Sequence, residues 1–358
     1  MDIAEIDERF KINTNIEIND IVWYNSANKP FEVYGAVGTN PYIRMPLDTA
    51  EKVSGAVLSL CRHTAGIRIR FRTDSPYIAI HSEWQGITTM SHMAVTGQAG
   101  FDLYSLDFDG IGQSFVGTYI PWRDAEKGFE SVLYVKNEMT DYILNFPLYN
   151  SVDRLYIGLA GNASFEKPSK YMNELPIVFY GTSITQGGCA SRPGNSYQAF
   201  LSRMFNIDYV NLGFSGSGRA EDEMISYLAG LSMAAFVSDY DYNADNAGHL
   251  GETHDKLYDA VRAKHPDIPY IMLTGSGRTH LAERDKRRQI IMNTYSRAID
   301  LGDTNVYFID GTTIFTGDEW QACTVDNVHP NDMGFYCFAK ALYPVLRMVI
   351  NNKKFGRQ

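Results

Sequence analysis

The sequence predicts an α/β protein in two parts: a parallel-sheet, three-layer domain, and an antiparallel β-sandwich of jelly-roll type ahead of it. Three observations point there. The first half carries short strand candidates separated by Gly, Pro, Asn and Asp clusters, with no long amphipathic helix among them. The second half alternates short, uniformly apolar runs with helical patterns, which is how a parallel sheet covered on both faces reads. Between them lies Glu166-Lys167-Pro168-Ser169-Lys170, a polar, proline-containing stretch that divides the chain into domains 1–170 and 171–358. At 358 residues, 44% hydrophobic and 13% aromatic, the chain has enough apolar side chains for two cores.

In the first domain, residues 66–73 (Gly-Ile-Arg-Ile-Arg-Phe-Arg-Thr) alternate apolar and basic, the period-two pattern of a half-exposed strand. Asp74-Ser75-Pro76 makes a turn into a second strand at 77–82. Further strands are expected at 101–108, 114–120, 131–136 and 154–159. In the second domain the predicted strands are 177–180, 209–212, 234–237, 270–273 and 306–309. The predicted helices are 196–205, 221–231, 254–264, 282–301 and 332–350. In such a sheet the functional site lies beyond the C-terminal ends of the strands, and every chemical candidate falls at one of those ends.

The first of these strands runs into Gly181-Thr182-Ser183-Ile184-Thr185-Gln186-Gly187-Gly188, which puts a serine in the turn before a helix starting near Asn195. A serine hydroxyl attacks only when a base takes its proton and donors hold the oxyanion. His329 is the candidate base. Asp326, three residues earlier, reaches its ring if the segment makes one helical turn. With Thr185 at the last glycine position, the loop is not a G-x-S-x-G elbow. The plain alternative is a capped βα turn and a His-Pro pair that merely precedes a helix.

The second strand ends in Asn211-Leu212-Gly213-Phe214-Ser215-Gly216-Ser217-Gly218, where Gly216 can bring its backbone N–H close to an oxyanion. Its glycines are not spaced as a dinucleotide fingerprint, and neither loop has the Gly-Lys-Ser/Thr of a P-loop. After the third strand, Asp239, Asp241 and Asn243 imitate the start of a calcium loop, but Ala244 and Leu250 stand where glycine and glutamate are required. Asn243 is better placed as a neutral oxyanion donor. Thr182, Arg192, Tyr197, Trp320 and His249 are candidates for lining a pocket, with packing as the competing role, and His254 shares the loop of His249. His63, His81 and His92 lie among β segments and are expected to be structural or at the surface. No histidine spacing suggests a metal, and the chemistry needs no cofactor.

A formal net charge of −10 argues against nucleic acid or an anionic membrane as the partner, leaving a small-molecule or polysaccharide ester. The N-terminus has no signal-peptide pattern and no apolar stretch reaches the roughly 20 residues of a membrane span. The chain as given is therefore expected to be cytoplasmic, or secreted if a leader has been removed. Cys61, Cys189, Cys323 and Cys337 form neither a disulfide framework nor a zinc pattern; Cys189 and Cys323, near the catalytic segments, are the one conceivable bridge.

Gly-Thr-Ser-Ile-Thr resembles the nucleophile block of the SGNH (GDSL-type) hydrolases, with Thr182 in place of the usual aspartate. Gly216, Asn243 and Asp326-x-x-His329 match the family's later blocks in order, although Gly-x-Asn-Asp reads Asp241-Tyr242-Asn243-Ala244 here. In the first half, Gly100-Phe101-Asp102-Leu103-Tyr104 is similar to the Gly-x-Asp-Leu-Tyr signature of sandwich domains that precede certain SGNH esterases. The resemblance implies a serine esterase of the two-domain carbohydrate-esterase type, with Ser183, His329 and Asp326 as triad. It implies an oxyanion hole of Ser183, Gly216 and Asn243, and O-acetyl groups on carbohydrate as substrate. The alternatives are a carbohydrate-binding protein with an inactive hydrolase domain, and an esterase for small intracellular esters.

Overall fold

The apolar runs of the second half pair as a parallel sheet in the order Tyr209–Gly213, Ile177–Gly181, Ala235–Asp239, Tyr270–Leu273, Val306–Ile309. A computed structural model describes residues 12–351 apart from 88, 108–111, 123–124 and 278–279. Both faces of this sheet are covered. Ile177, Phe179, Val237 and Ile271 point into one core with Phe335, Phe338 and Leu342 of the helix Asp332–Asn351. Val178, Tyr180, Phe236 and Met272 point into a second core with Leu228, Leu257 and Val261. Strand alternation sends successive residues to opposite faces, so a strand buried on both must be apolar throughout.

The first half folds as two antiparallel sheets around a third core that includes Ile69, Phe71, Ile80, Leu103 and Ile157. One sheet is ordered Ile21–Asn25, Arg154–Ala160, Tyr77–Glu83, Gly128–Tyr134. The other is ordered Phe165–Glu166, Arg68–Thr73, Thr140–Asn145, Phe101–Leu106, Gln113–Tyr119. The strand Thr140–Asn145, central in that sheet, is absent from the sequence expectation: only Tyr142 and Leu144 face the core, while Asp141 and Asn145 lie on the opposite face. Phe108, the expected end of one strand, lies outside the described residues. Phe165–Glu166 is the last strand of the sandwich and Ile177–Gly181 the first of the parallel sheet.

One expectation is corrected here. The basic face of Arg68–Thr73 was read as solvent-exposed, yet Arg68 and Arg70 are 1% and 0% exposed. Alternation distinguishes the two faces of a strand but does not say what covers the second, and here it is the parallel-sheet domain. Arg68 donates to Tyr209 O (3.0 Å) and Tyr171 Oη (2.8 Å), pairs with Asp208, and stacks 3.8 Å from the Tyr209 ring centre. Arg70 donates to Asn206 Oδ1 at 3.1 Å. Arg44, also fully buried, donates to Asn211 O (3.0 Å) and Gly213 O (2.8 Å) across the junction, and to His63 O and Leu60 O within its own domain. Buried guanidinium groups keep such positions only when their donors are satisfied, and these largely are.

Candidate active site

Ser183 occupies the first residue of a one-turn helix, Ser183–Gln186, that follows directly on the strand Ile177–Gly181, rather than a turn before the later helix Tyr197–Phe205. Thr182 caps it, its hydroxyl accepting from the Ile184 N–H at 3.2 Å. That buried role makes Thr182 part of the helix start instead of the pocket wall. Thr185 faces inward: its hydroxyl donates to Asp239 Oδ2 at 3.0 Å, and its carbonyl accepts from Gln198 and Asn211 side-chain amides at 2.8 and 2.7 Å. Tyr197 is wholly buried, with its hydroxyl 3.3 Å from the same Asp239 oxygen. Burial above all, and then the Asp241 carboxyl, hold Asp239 well above the usual carboxylate range, partly offset by the two hydroxyls.

The serine hydroxyl lies 2.9 Å from His329 Nε2, and His329 Nδ1 lies 2.7 Å from Asp326 Oδ2. The Asp-x-x-His spacing achieves this without the expected helical turn. Asn327 takes a positive φ of 68°, Val325 N donates to His329 O at 3.0 Å, and Thr324 bridges Pro330, so the segment is a tight loop. Asp326 Oδ1 accepts the Val328 and His329 N–H groups at 3.0 and 2.7 Å, the side-chain-to-backbone turn that Asp favours. Partial burial pushes the Asp326 carboxyl up, but these N–H groups and the imidazole outweigh it and keep it below the ordinary range. Pro330 O accepts from Cys189 N at 2.8 Å, which fastens this loop to the one carrying the serine.

Gly216 sits in the loop after Tyr209–Gly213 with φ of +71°, a conformation that suits glycine, and open space lies where a Cβ would be. Asn243 ends a short 3₁₀ turn, Asp241–Asn243, and its Oδ1 accepts from Gly218 N at 3.3 Å. That bond assigns the amide orientation and leaves Nδ2 to donate elsewhere. Among the described residues, no acceptor engages Ser183 N, Gly216 N or Asn243 Nδ2. The departure Asp241-Tyr242 is accommodated by the next strand's loop: buried Asp241 accepts from Gly275 N at 2.8 Å, and the Tyr242 hydroxyl accepts from Gly277 N. Burial, opposed by that N–H and by Arg287, pushes the Asp241 carboxyl up to about 6.

The other predicted pocket residues are scattered. Arg192 turns to the sandwich, 3.0 Å from Asp102 and 3.9 Å over the Phe115 ring centre. Asp102, the acid of the Gly-x-Asp-Leu-Tyr motif, also accepts from Gly194 N (2.8 Å) and Asn145 Nδ2 (2.9 Å), so the motif holds the loop that follows the serine. Trp320, half-buried on Trp320–Cys323, packs against the core under the C-terminal helix. His249 lies half-buried in the first turn of Ala247–Lys264, its N–H held by Asn246 Oδ1 at 3.0 Å. His254 is buried against Tyr240 and Thr294, with burial pushing it down to about 4, and is a core residue. Its helix begins seven residues before the expected start at 254, because Asn246 supplies the cap and the glycines conceal the pattern. All four cysteines are free and buried, so Cys189 and Cys323 are not bridged.

Sequence reasoning missed three residues of the sandwich that reach the site. Tyr149 Oη donates to Ser183 O at 3.1 Å. His63 Nδ1 accepts from Gln186 Nε2 at 3.2 Å; burial, with Arg44 adding to it, pushes His63 down to about 4 and keeps it neutral as an acceptor. His92 lies with its ring centre 5.8 Å from that of His329. None of the three has a local signal, because each meets its neighbour across the domain junction. Gln186 links both sides, donating also to Leu148 O (3.1 Å) and accepting from Ser215 N (3.0 Å). Among the described residues there is no cluster of three or more metal-ligating side chains, and no helix long and apolar enough to cross a membrane.

Residues 174–347 match the GDSL-like lipase/acylhydrolase family, and residues 21–165 match the domain found at the N-terminus of SGNH-hydrolase-type esterases. Among solved structures, a protein described as a GDSL-like lipase from Bacteroides ovatus is 29% identical with a TM-score of 0.82, over 92% of this chain and 98% of that one. A salicylyl-acyltransferase from a tetracycline biosynthetic pathway shares the fold at 16% identity and TM-score 0.78, over 95% and 100%. An acetyl xylan esterase from the rumen bacterium Butyrivibrio proteoclasticus does so at 13% and 0.58, over 91% and 98%. No curated protein sequence matches the chain.

Proposed function

Because the chain is a carboxylic ester hydrolase of the GDSL-like lipase/acylhydrolase (SGNH) family, we propose that Ser183, His329 and Asp326 cleave O-acyl esters, O-acetyl groups on carbohydrate above all, by two-step acyl transfer. The observation that carries this reading is the aligned relay, 2.7 Å from Asp326 to His329 and 2.9 Å from His329 to Ser183. Ser183 Oγ attacks the ester carbonyl while His329 Nε2 accepts its proton. The C–O bond to the alcohol breaks as His329 returns that proton to the leaving oxygen. Water, deprotonated by His329, then attacks the acyl-serine; the bond from the acyl carbon to Ser183 Oγ breaks, His329 returns the proton to that oxygen, and the acid is released. Asp326 keeps the ring in the tautomer with a proton on Nδ1 and stabilises the imidazolium. The uncommitted donors Ser183 N, Gly216 N and Asn243 Nδ2 hold the oxyanion in both steps.

Carbohydrate as the alcohol is supported by the acetyl xylan esterase that shares this fold. The test is acetate release from acetylated xylan, acetylated mannan and small acetylated sugars, with Ser183→Ala in parallel and fluorophosphonate labelling of the serine. The reading expects release by the native enzyme, labelling at Ser183, and loss of both in the variant. Full activity of Ser183→Ala on an acetyl ester would sink the mechanism. Failure on every carbohydrate ester, alongside cleavage of other acyl esters, would remove the carbohydrate assignment and leave the mechanism standing.

A further inference from the structure

Within the segment that joins the sandwich strands Tyr77–Glu83 and Phe101–Leu106, residues 90–97 lie against the serine's domain. Met93 is buried in the core cluster of the catalytic domain, and Met90 packs on the same cluster. The Met90 N–H is held by Gln98 Oε1 at 2.9 Å. Thr96 donates its hydroxyl to Ser191 O, and Gly97 sits so near Ala190 that a Cβ there would lie 2.0 Å from its carbonyl oxygen. His92, between the two anchored methionines, is exposed, and its ring stands at 55° to that of His329 with 5.8 Å between centres. These anchored residues therefore present a polar, solvent-facing ring whose centre is 5.8 Å from that of the base.

The leaving oxygen must come within about 3 Å of His329 Nε2 to take its proton. A hydroxyl on the next carbon of the alcohol lies roughly another 3 Å away, a span comparable to the 5.8 Å between the two ring centres. Imidazole can donate or accept there, which suits a hydroxyl in either sense. We propose that His92 is a specificity-determining residue supplied by the sandwich, hydrogen-bonding a hydroxyl adjacent to the scissile oxygen in the alcohol half of the ester. The proposal rests on the esterase reading above, and selects within it for esters of polyhydroxy alcohols. No proton or covalent bond moves at His92; it orients the substrate.

The test compares His92→Ala and His92→Gln with the native enzyme on three esters: 4-nitrophenyl acetate, which has no neighbouring hydroxyl, glyceryl monoacetate and an acetylated sugar. For His92→Ala the expected result is a threefold to tenfold fall in kcat/KM on the hydroxylated esters, about what one hydrogen bond supplies, and carried mainly by KM. His92→Gln restores part of it. On 4-nitrophenyl acetate both variants stay within about twofold of native, and their thermal midpoints are unchanged. An equal fall on all three esters would mean that His92 acts through His329, and overturns the proposal, as does no change on any. The glyceryl ester decides the matter even if no sugar ester is cleaved, which separates failure of this proposal from failure of the carbohydrate reading.

Discussion

Asn243 offers a sharp perturbation because its two side-chain atoms have separable duties. Oδ1 accepts a single, rather long bond from Gly218 N at 3.3 Å, while Nδ2 is the atom proposed to donate to the oxyanion. Truncation in Asn243→Ala removes both. Loss of one oxyanion donor costs about 2.7–4 kcal/mol in the transition state, which lowers kcat by about a hundredfold to a thousandfold. The lost bond to Gly218 costs folding only about 0.5–1.5 kcal/mol, and less if water replaces the half-buried side chain. Asn243→Asp separates the duties: the carboxylate still accepts from Gly218, but faces the oxyanion with like charge. Its stability should match native while its kcat falls at least as far as that of the alanine variant. Saturating kinetics on 4-nitrophenyl acetate and urea unfolding read the two quantities independently. Asn243→Ala with kcat within about threefold of native, or Asn243→Asp with native activity, would refute the oxyanion role.

Three other perturbations follow from the geometry. Asp326→Asn leaves the loop's shape but favours the wrong His329 tautomer, and kcat measured at pH 7 should fall by about 10³–10⁴ with little change in KM. Asp241 is the pH probe. Its folded-state value near 6 exceeds the ordinary 3.8, so the stability it contributes is full below about 4 and lost as pH rises to 6. Asp241→Asn, which keeps an acceptor for Gly275, should flatten that part of the unfolding free energy against pH; a slope unchanged between pH 4 and 6 would exclude Asp241 as its source. Arg68→Met leaves Asp208 without its cation at the junction, and urea unfolding should show a loss of about 3–5 kcal/mol.

Much of the candidate site was legible in the sequence because its parts are local. Ser183, Gly216 and Asn243 each sit just past an apolar run, while the Asp326/His329 pair follows the last run, Val306–Ile309, only after a 3₁₀ turn and the short helix Trp320–Cys323. The spacing of Asp326 and His329 signalled their contact, although the backbone that produces it is a left-handed turn at Asn327 rather than a helix. What sequence could not reveal is contact across the junction. The arginines at 68 and 70 look solvated in a strand pattern, Asp102 looks like one letter of a motif, and His92 looks like a surface histidine. Arg192 and Tyr197 were plausible pocket residues by proximity in sequence, but a separation of nine or fourteen residues from Ser183 says nothing of direction. One faces Asp102 and the other Asp239.

The junction has a consequence for how this enzyme can be cut or rebuilt. The chain reads as two modules, yet the boundary between them is lined by guanidinium groups from one side and backbone carbonyls from the other. An excised second module would expose those carbonyls, along with the floor on which Met93 rests, and would lose Tyr149 from the back of the nucleophile turn. Grafting a foreign sandwich in its place would have to reproduce the same donors at the same heights. In the folded molecule the two parts are joined by these donors, and the turn that carries the serine is held from the sandwich side by Tyr149.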